Sequence, residues 1–160
     1  MKNNEESQEK LSTVFSGIAG EYFVAAELSR RGYIASITLR NTDGVDVLCA
    51  NKKTNKSVCI QVKTNRGSNR TWVMNQKSES YFAENLFYVF VNLNDNKKHP
   101  DYFIVPSKTA SKHITESHST WLRTPNKKGG AHVDNSMRKF TDPKEEFLDR
   151  WDLLGLEANN

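Results

Sequence analysis

Two short apolar segments of the chain carry polar side chains that can take part in metal-assisted chemistry. Asp46 lies in the apolar run 45–50, and Gln61 and Lys63 lie in the next run, from residue 58. Carboxylate and amide oxygens suit a hard divalent cation such as magnesium, and a lysine can orient a water or neutralise charge on a phosphodiester. These residue types indicate phosphodiester chemistry if the strand register places Asp46 beside Gln61.

The two runs predict neighbouring β-strands, joined by the turn-rich segment 51–57. Side chains alternate between the two faces of a strand, so Gln61 and Lys63 share one face and Val62 points to the other. Asp43 is a second candidate for the catalytic aspartate. Asp46 is preferred because it begins an apolar strand, whereas Asp43 and Gly44 have turn chemistry. Asp43 is kept as an auxiliary residue.

A long helix is predicted from a cap at Ser12 or Thr13 to about Arg31, ended by Gly32. On this helix Glu21 lies in an apolar row with Val14, Ile18, Ala25 and Leu28. An unpaired buried carboxylate is costly, so Glu21 should meet a cation, a polar network or a water-filled cleft. Alternatively, Tyr22, Phe23 and Ala26 form the core stripe of the helix, and Glu21 then lies at the edge of the buried face.

Two glycines in this helix lower its propensity, which suggests close approach of the helix to a sheet or to a substrate backbone. They are Gly17 and Gly20. Further strands are predicted at residues 33–39, 86–93 and 101–106, and further helices at 76–84, at 107–116 and from Thr141 onward. Trp72 follows a basic loop, where it either stacks on a base or is buried under the sheet edge.

Asp46 together with the segment Gln61-Val62-Lys63 resembles the PD-(D/E)XK nuclease superfamily, in the variant with glutamine at the (D/E) position. The helix around Glu21 resembles the first helix of archaeal Holliday-junction resolvases and RecB-type nucleases. The resemblance implies that Glu21 completes a metal site with Asp46, Gln61 and the Val62 carbonyl, while Lys63 is catalytic. Glu27 is then expected to be solvated.

The resemblance implies an α/β fold with a restriction-endonuclease-like core, in which a central mixed sheet of four to five strands is flanked by helices and followed by a C-terminal helical extension. We expect residues 1–12 to be a flexible tail and residues 13–157 to be a single domain. On the helix after the lysine motif, Gln76 with Tyr81 is similar to a glutamine and tyrosine of RecB-type nucleases, which makes Gln76 an auxiliary candidate.

The charge of the chain is compatible with a nucleic-acid partner. The net charge is +4 and the isoelectric point about 9.0, and the basic residues concentrate in three segments with few acids. We expect phosphate contacts from Arg66, Arg70, Lys127 and Lys128. Three histidines, His113, His118 and His132, lack the thiolate partners and the spacing of a zinc site.

The sequence has no apolar run of about 18 residues and begins with a polar segment, so we expect an intracellular, cytoplasmic protein. Cys49 and Cys59 fit a reducing compartment and are expected on opposite strand faces, unbridged. The predicted function is a nuclease that hydrolyses DNA with Mg²⁺, or Mn²⁺ in its place, and that forms a homodimer by analogy. The alternatives are an inactive nuclease-fold module that binds nucleic acid or a protein, and a regulatory interaction protein.

Overall fold

The structure, a computed structural model, describes residues 12–39 and 44–158. The predicted flexible tail, apart from Ser12, and Asp43 lie outside these residues. The helices and strands are α1 (Thr13–Arg30), β1 (Ile34–Ile37), β2 (Val47–Asn51), β3 (Lys56–Asn65), β4 (Thr71–Asn75), β5 (Leu86–Asn92), β6 (Asp101–Pro106), α2 (Ser107–Arg123) and β7 (Met137–Thr141). None of the described helices has the length and apolar character needed to cross a membrane.

Five strands form a mixed sheet in the order β1-β2-β3-β5-β6. The β3–β5 pair is parallel and the other three pairs are antiparallel. β4 and β7 form a separate antiparallel ribbon. This architecture confirms the predicted α/β fold with a central mixed sheet.

α1 covers one face of the main sheet. Ser12 caps it by accepting a hydrogen bond from the Phe15 amide, and Gly32, at φ +87°, follows its end, as predicted. Its buried stripe consists of Ser16, Gly20, Val24 and Leu28. The predicted row is right for Leu28 and Ala25, which lie in or against the core, and wrong for Val14, whereas all three residues of the alternative stripe are exposed. The small residues of the Ser16 row let the helix backbone approach the sheet. Val14 and Tyr22 are 60% and 64% exposed.

Glu27 is not solvated, contrary to the expectation. Its side chain is 14% exposed and bonded to Arg30 and Arg31 at 2.8 and 2.9 Å. The hydrogen bond from Arg30 lowers the pKa of Glu27 despite partial burial. The acid on the sheet-facing side of α1 is therefore a structural ion-pair partner.

The opposite face of the sheet is covered by the β4–β7 ribbon and α2, over an aromatic cluster. Trp72 is 1% exposed and its indole donates to the Val91 carbonyl at 3.1 Å, so Trp72 is a core residue. Phe90 and Phe140 stack at 4.4 Å between ring centroids. Ile114 anchors α2 in the same cluster.

The prediction of a helix beginning at Thr141 is wrong. Thr141 ends β7, and the Asp142 carboxylate accepts bonds from the Glu146 and Phe147 amides, each at 3.0 Å. A helix cap at Asp142 would instead accept from the amide of Lys144 or Glu145, and Glu145 adopts φ +58°, which a continuing helix does not allow. Among the described residues after β6, α2 is the one α-helix. The described segment that follows β7 contains a single 3₁₀ turn, Trp151–Leu154. The predicted helix 76–84 is likewise reduced to the 3₁₀ turn Gln76–Glu79.

Candidate active site

Asp46 comes directly before β2 and is bonded to β3 through both its backbone and its side chain. Its amide donates to the Ile60 carbonyl at 2.8 Å, and its Oδ2 atom accepts from the Val62 amide at 2.7 Å. The Asp46 carboxylate therefore accepts from a β3 amide that would otherwise bond to a backbone carbonyl of a neighbouring strand. These two bonds hold the half-buried carboxylate against the middle of the strand.

The β2–β3 register determines which side chains of β3 lie beside Asp46. Val47 pairs with Ile60, so the preceding residue, Asp46, comes opposite Gln61. Gln61 and Lys63 are both half-buried, and by strand alternation they project from the same face. The structure thus places a carboxylate beside the strand segment that carries an amide and an ammonium group.

A cleft of about 540 Å³ opens where β3 ends. Its walls come from the start of α1, the end of β3 and β4, and include Thr13, Ser16, Gly17, Lys63, Arg66 and Val73. Lys63 therefore shares a solvent-accessible cleft with the first turns of α1. We call this space the β3 cleft.

The β3 cleft has positive electrostatic character. Lys63 and Arg66 line it together with Thr13, Ser16 and Gly17 from the N-terminal end of α1, whose first turn carries no acid. A helix N-terminus attracts anions through its free amides and its dipole. Such a cleft suits a phosphate group better than a cationic ligand.

Gly20 brings α1 into direct contact with β3. A Cβ atom placed on Gly20 would lie 1.9 Å from Thr64 Oγ1. That hydroxyl is buried and has no hydrogen-bond partner among the described residues. The close approach predicted from the two helix glycines therefore occurs at Gly20 and is made to the sheet, whereas Gly17 has open space around it.

Glu21 follows Gly20 and is half-buried at the margin of the α1 stripe. It comes one helical turn after Gly17, which lines the β3 cleft. Because α1 packs on the face of β3 that carries Val62, the helix that bears Glu21 lies on the opposite side of the strand from Gln61 and Lys63. Its neighbour Gly20 contacts Thr64 at the end of β3. The pairing of β2 with β3 therefore positions Asp46, Gln61 and Lys63, while the position of Glu21 depends on the docking of α1.

The four basic residues predicted to contact nucleic acid have different surroundings. Arg66 lines the β3 cleft and is paired with Asp95 at 3.2 Å. Arg70 forms an ion pair with Glu145. Lys127 and Lys128 are exposed on the loop between α2 and β7. The two arginines thus have acidic neighbours that compete with a phosphate.

Tyr81 lies closer to the site than its weak sequence signal indicated. A Cβ atom on Gly44 would come within 2.6 Å of the Tyr81 ring, so this ring packs on the chain two residues before Asp46. Gln76 is exposed and begins a 3₁₀ turn. In the sequence, Tyr81 was indicated only by the glutamine–tyrosine pattern that it forms with Gln76.

Asp46 and Gln61 carry oxygen donors of the kind that magnesium takes. Mg²⁺ in proteins commonly takes one or two carboxylates and keeps water or substrate phosphate as its other ligands. Asp46 and the Gln61 amide oxygen supply such hard donors from adjacent strands. Within residues 12–39 and 44–158, no cluster of three or more His, Cys, Asp or Glu side chains could hold an ion.

The histidines and cysteines have structural surroundings. His113 bonds Thr141 Oγ1 at 3.1 Å, and burial lowers its pKa, which favours the neutral ring. His118 bonds Asp134 at 2.8 Å. Both cysteines are free, as predicted, and burial raises the pKa of Cys49 to about 11, so its thiol stays protonated near neutral pH.

The sequence matches no protein-family model and no curated protein. Among solved structures, the chain resembles Hjc, a Holliday junction resolvase from the archaeal hyperthermophile Archaeoglobus fulgidus. The TM-score is 0.51 at 12% identity, over 89% of this chain and 98% of Hjc. It also resembles the bacterial homing endonuclease I-Ssp6803I, with a TM-score of 0.51 at 12% identity, over 91% of this chain and 92% of that one.

At this level of identity the similarity concerns the fold. Both neighbours have the restriction-endonuclease-like PD-(D/E)XK fold, and each match covers about nine-tenths of the chain. The resemblance drawn from Asp46, Gln61 and Lys63 is therefore confirmed for the fold.

Proposed function

We propose that this protein is a metal-dependent nuclease that hydrolyses phosphodiester bonds of DNA. One observation carries the proposal: the Asp46 carboxylate is bonded to the Val62 amide, between Gln61 and Lys63, in a fold shared with two nucleases. The positive β3 cleft beside Lys63 supports it, because a DNA strand presents phosphates to such a surface.

Each proposed site residue has a distinct role. Asp46, Gln61 and the Val62 carbonyl would hold Mg²⁺ or Mn²⁺, and Glu21 would add a carboxylate from the helix layer. Bound there, the ion would polarise a phosphoryl oxygen and lower the pKa of a water. Lys63 would orient that water and offset the negative charge that develops on the phosphate.

The phosphates that flank the scissile bond would lie in the β3 cleft. Arg66 would leave Asp95 to meet one of them, because its side chain is 36% exposed and exposed ion pairs are weak. Lys127 and Lys128 would add contacts that are independent of sequence. Asp43 and Gln76 remain auxiliary candidates in this proposal.

Lys63→Ala is expected to reduce the cleavage of supercoiled plasmid and of branched DNA by at least about 100-fold, as the loss of a single charge-stabilising donor often does. Cleavage would be followed on gels with Mg²⁺, with Mn²⁺ and with EDTA. The control is Lys112→Ala, since the Lys112 side chain is 75% exposed on α2, away from the β3 cleft. Equal cleavage by Lys63→Ala and wild type would exclude Lys63 from catalysis.

Gln61→Glu is expected to raise the affinity for Mn²⁺ by at least about 10-fold, or about 1.4 kcal/mol. A second carboxylate attracts a divalent cation more strongly than a neutral amide does. Isothermal titration calorimetry with MnCl₂ would measure the change. Asn55→Asp adds the same charge on the exposed turn between β2 and β3 and should leave the affinity within about twofold. An unchanged affinity in Gln61→Glu would place the ion elsewhere.

A second candidate is a nuclease-fold module that binds DNA without cutting it. The neutral amide of Gln61 favours this candidate, because it provides less attraction for a hard cation than an acid. Salt-sensitive DNA binding by a wild-type protein that does not cleave with Mg²⁺ or Mn²⁺ would select it over the enzyme.

A further inference from the structure

A second cavity, of about 240 Å³, lies between the C-terminal half of α2 and the outer face of β7. Its walls include His118, Trp121, Asn135, Met137, Lys139 and Thr141. β7 alternates strictly, with Arg138 and Phe140 buried while the flanking residues face outward. The cavity, which we call the Trp121 pocket, is therefore built on the solvent face of the ribbon and is separate from the aromatic core.

Aromatic rings form part of the wall of the Trp121 pocket. The rings of His118 and Trp121 stack with centroids 5.3 Å apart and a 29° angle between planes. His132 stacks on Trp121 at 4.0 Å and 28°. Trp121 keeps 36% of its surface exposed. The two histidines cover part of the Trp121 ring, and the exposed remainder is the surface available for stacking an unpaired nucleobase.

The polar side of the Trp121 pocket is held in place by hydrogen bonds and ion pairs, one of which involves a buried arginine. Arg138, with 3% of its side chain exposed, is paired with Glu79 and donates to the Asn135 carbonyl at 2.6 Å. Asp134 accepts from His118 at 2.8 Å, and this bond lowers the pKa of Asp134. His118 and Asn135, which both line the pocket, are thus held by contacts that do not involve a ligand.

The Trp121 pocket is small and has a cation at its edge. Its volume is below the range of roughly 300–1,000 Å³ that drug-sized ligands occupy. Lys139 is an exposed cation at its edge, and the loop that carries Lys127 and Lys128 connects its two sides. An aromatic wall with a cation beside it suits a base and its phosphate.

The Trp121 pocket is joined to the β3 cleft across the β4–β7 ribbon. Lys139 of the pocket is the direct cross-strand partner of Val73, which lines the cleft. Directly opposed residues of an antiparallel pair have Cα atoms about 5 Å apart. A strand whose phosphates lie in the cleft can therefore reach the pocket within a short distance.

We propose that the Trp121 pocket receives one unpaired nucleobase of the bound DNA, which makes the preferred substrate one that contains a single-stranded segment. The proposal rests on the proposed function and specifies its substrate class. A base inside an intact duplex is covered by its neighbours and has to leave the stack to enter a pocket. The pocket should therefore increase the affinity for duplex DNA less than the affinity for a single strand of the same length.

The test is fluorescence anisotropy of a labelled oligo(dT) strand and of a labelled duplex of equal length, both with EDTA. Trp121→Ala is expected to weaken binding of the single strand by about 10-fold, within the range for loss of one base–aromatic stack. Binding of the duplex should change by less than about twofold. Trp121→Phe should recover most of the loss, and Lys112→Ala serves as the control.

Tryptophan emission gives a second readout. Trp72 and Trp151 are 1% and 4% exposed, so quenching on addition of oligo(dT) should come from Trp121 and be absent in Trp121→Phe. Equal weakening of single-strand and duplex binding, or no weakening and no quenching, would overturn the proposal. The assay needs no cleavage, so a wild-type protein that prefers single strands but never cuts would refute only the nuclease activity.

Discussion

Asp46→Asn is expected to lower metal-dependent DNA cleavage by about 1,000-fold, which corresponds to about 4 kcal/mol of transition-state stabilisation. Asparagine keeps an oxygen that can accept the Val62 amide, whose bond to Asp46 Oδ2 is 2.7 Å long. It lacks the charge that holds a divalent cation. The measurement is the initial rate of plasmid cleavage with Mg²⁺, with the free energy of unfolding determined in urea.

Asp46→Ala is the matched variant that removes both properties. It leaves the Val62 amide without its acceptor, so the free energy of unfolding should fall by about 1–3 kcal/mol in addition to the loss of cleavage. Asp46→Asn should stay close to wild type in stability. If Asp46→Asn cleaves at the wild-type rate, Asp46 is a structural acceptor and the proposed metal site is wrong.

Gly20→Ala is expected to lower the free energy of unfolding by roughly 1–3 kcal/mol, because the added methyl group enters a packed contact. Its Cβ would lie 1.9 Å from the buried Thr64 Oγ1, so the Thr64 side chain, α1 or β3 must shift. Urea unfolding monitored by circular dichroism would measure the loss.

Gly17→Ala, on the same helix, is the control for this prediction. A Cβ at Gly17 meets no atom within 4 Å, and alanine favours the helix over glycine by roughly 0.5–1 kcal/mol, so the variant should be more stable than wild type. Thr64→Ala in the Gly20→Ala background removes the clashing hydroxyl and should recover part of the loss. A Gly20→Ala protein as stable as Gly17→Ala would contradict the packing of α1 on β3.

Local patterns in the sequence determined much of the secondary structure. The Ser12 cap, the end of α1 before Gly32 and the buried strand 86–92 follow from residues close together in the chain. The opposite faces of Cys49 and Cys59 also follow from strand alternation and the register of one hairpin. Such features are predictable because their energetics involve neighbouring residues.

Other features depended on partners that are distant in the chain. α1 offers several possible stripes, and the Ser16–Gly20 row was selected because only it lets the helix contact Thr64. Thr141 became the end of a strand because residues 137–141 pair with β4, more than 60 positions earlier. The helix-start signals after Thr141 were overridden by this pairing and by the turn at Glu145. Asp142 does accept two amides, but they belong to residues four and five positions on and not to the first turn of a helix.

For the candidate site, the sequence by itself determined the residue types and the shared face of Gln61 and Lys63, because these depend on composition and strand periodicity. The tertiary structure decided that Asp46 bonds the Val62 amide, that Lys63 opens into a cleft with the start of α1, and that Trp121 lies across the ribbon from that cleft. Those relations require strand register and helix docking. Both are set by long-range packing, for which no single stretch of the chain carries the information.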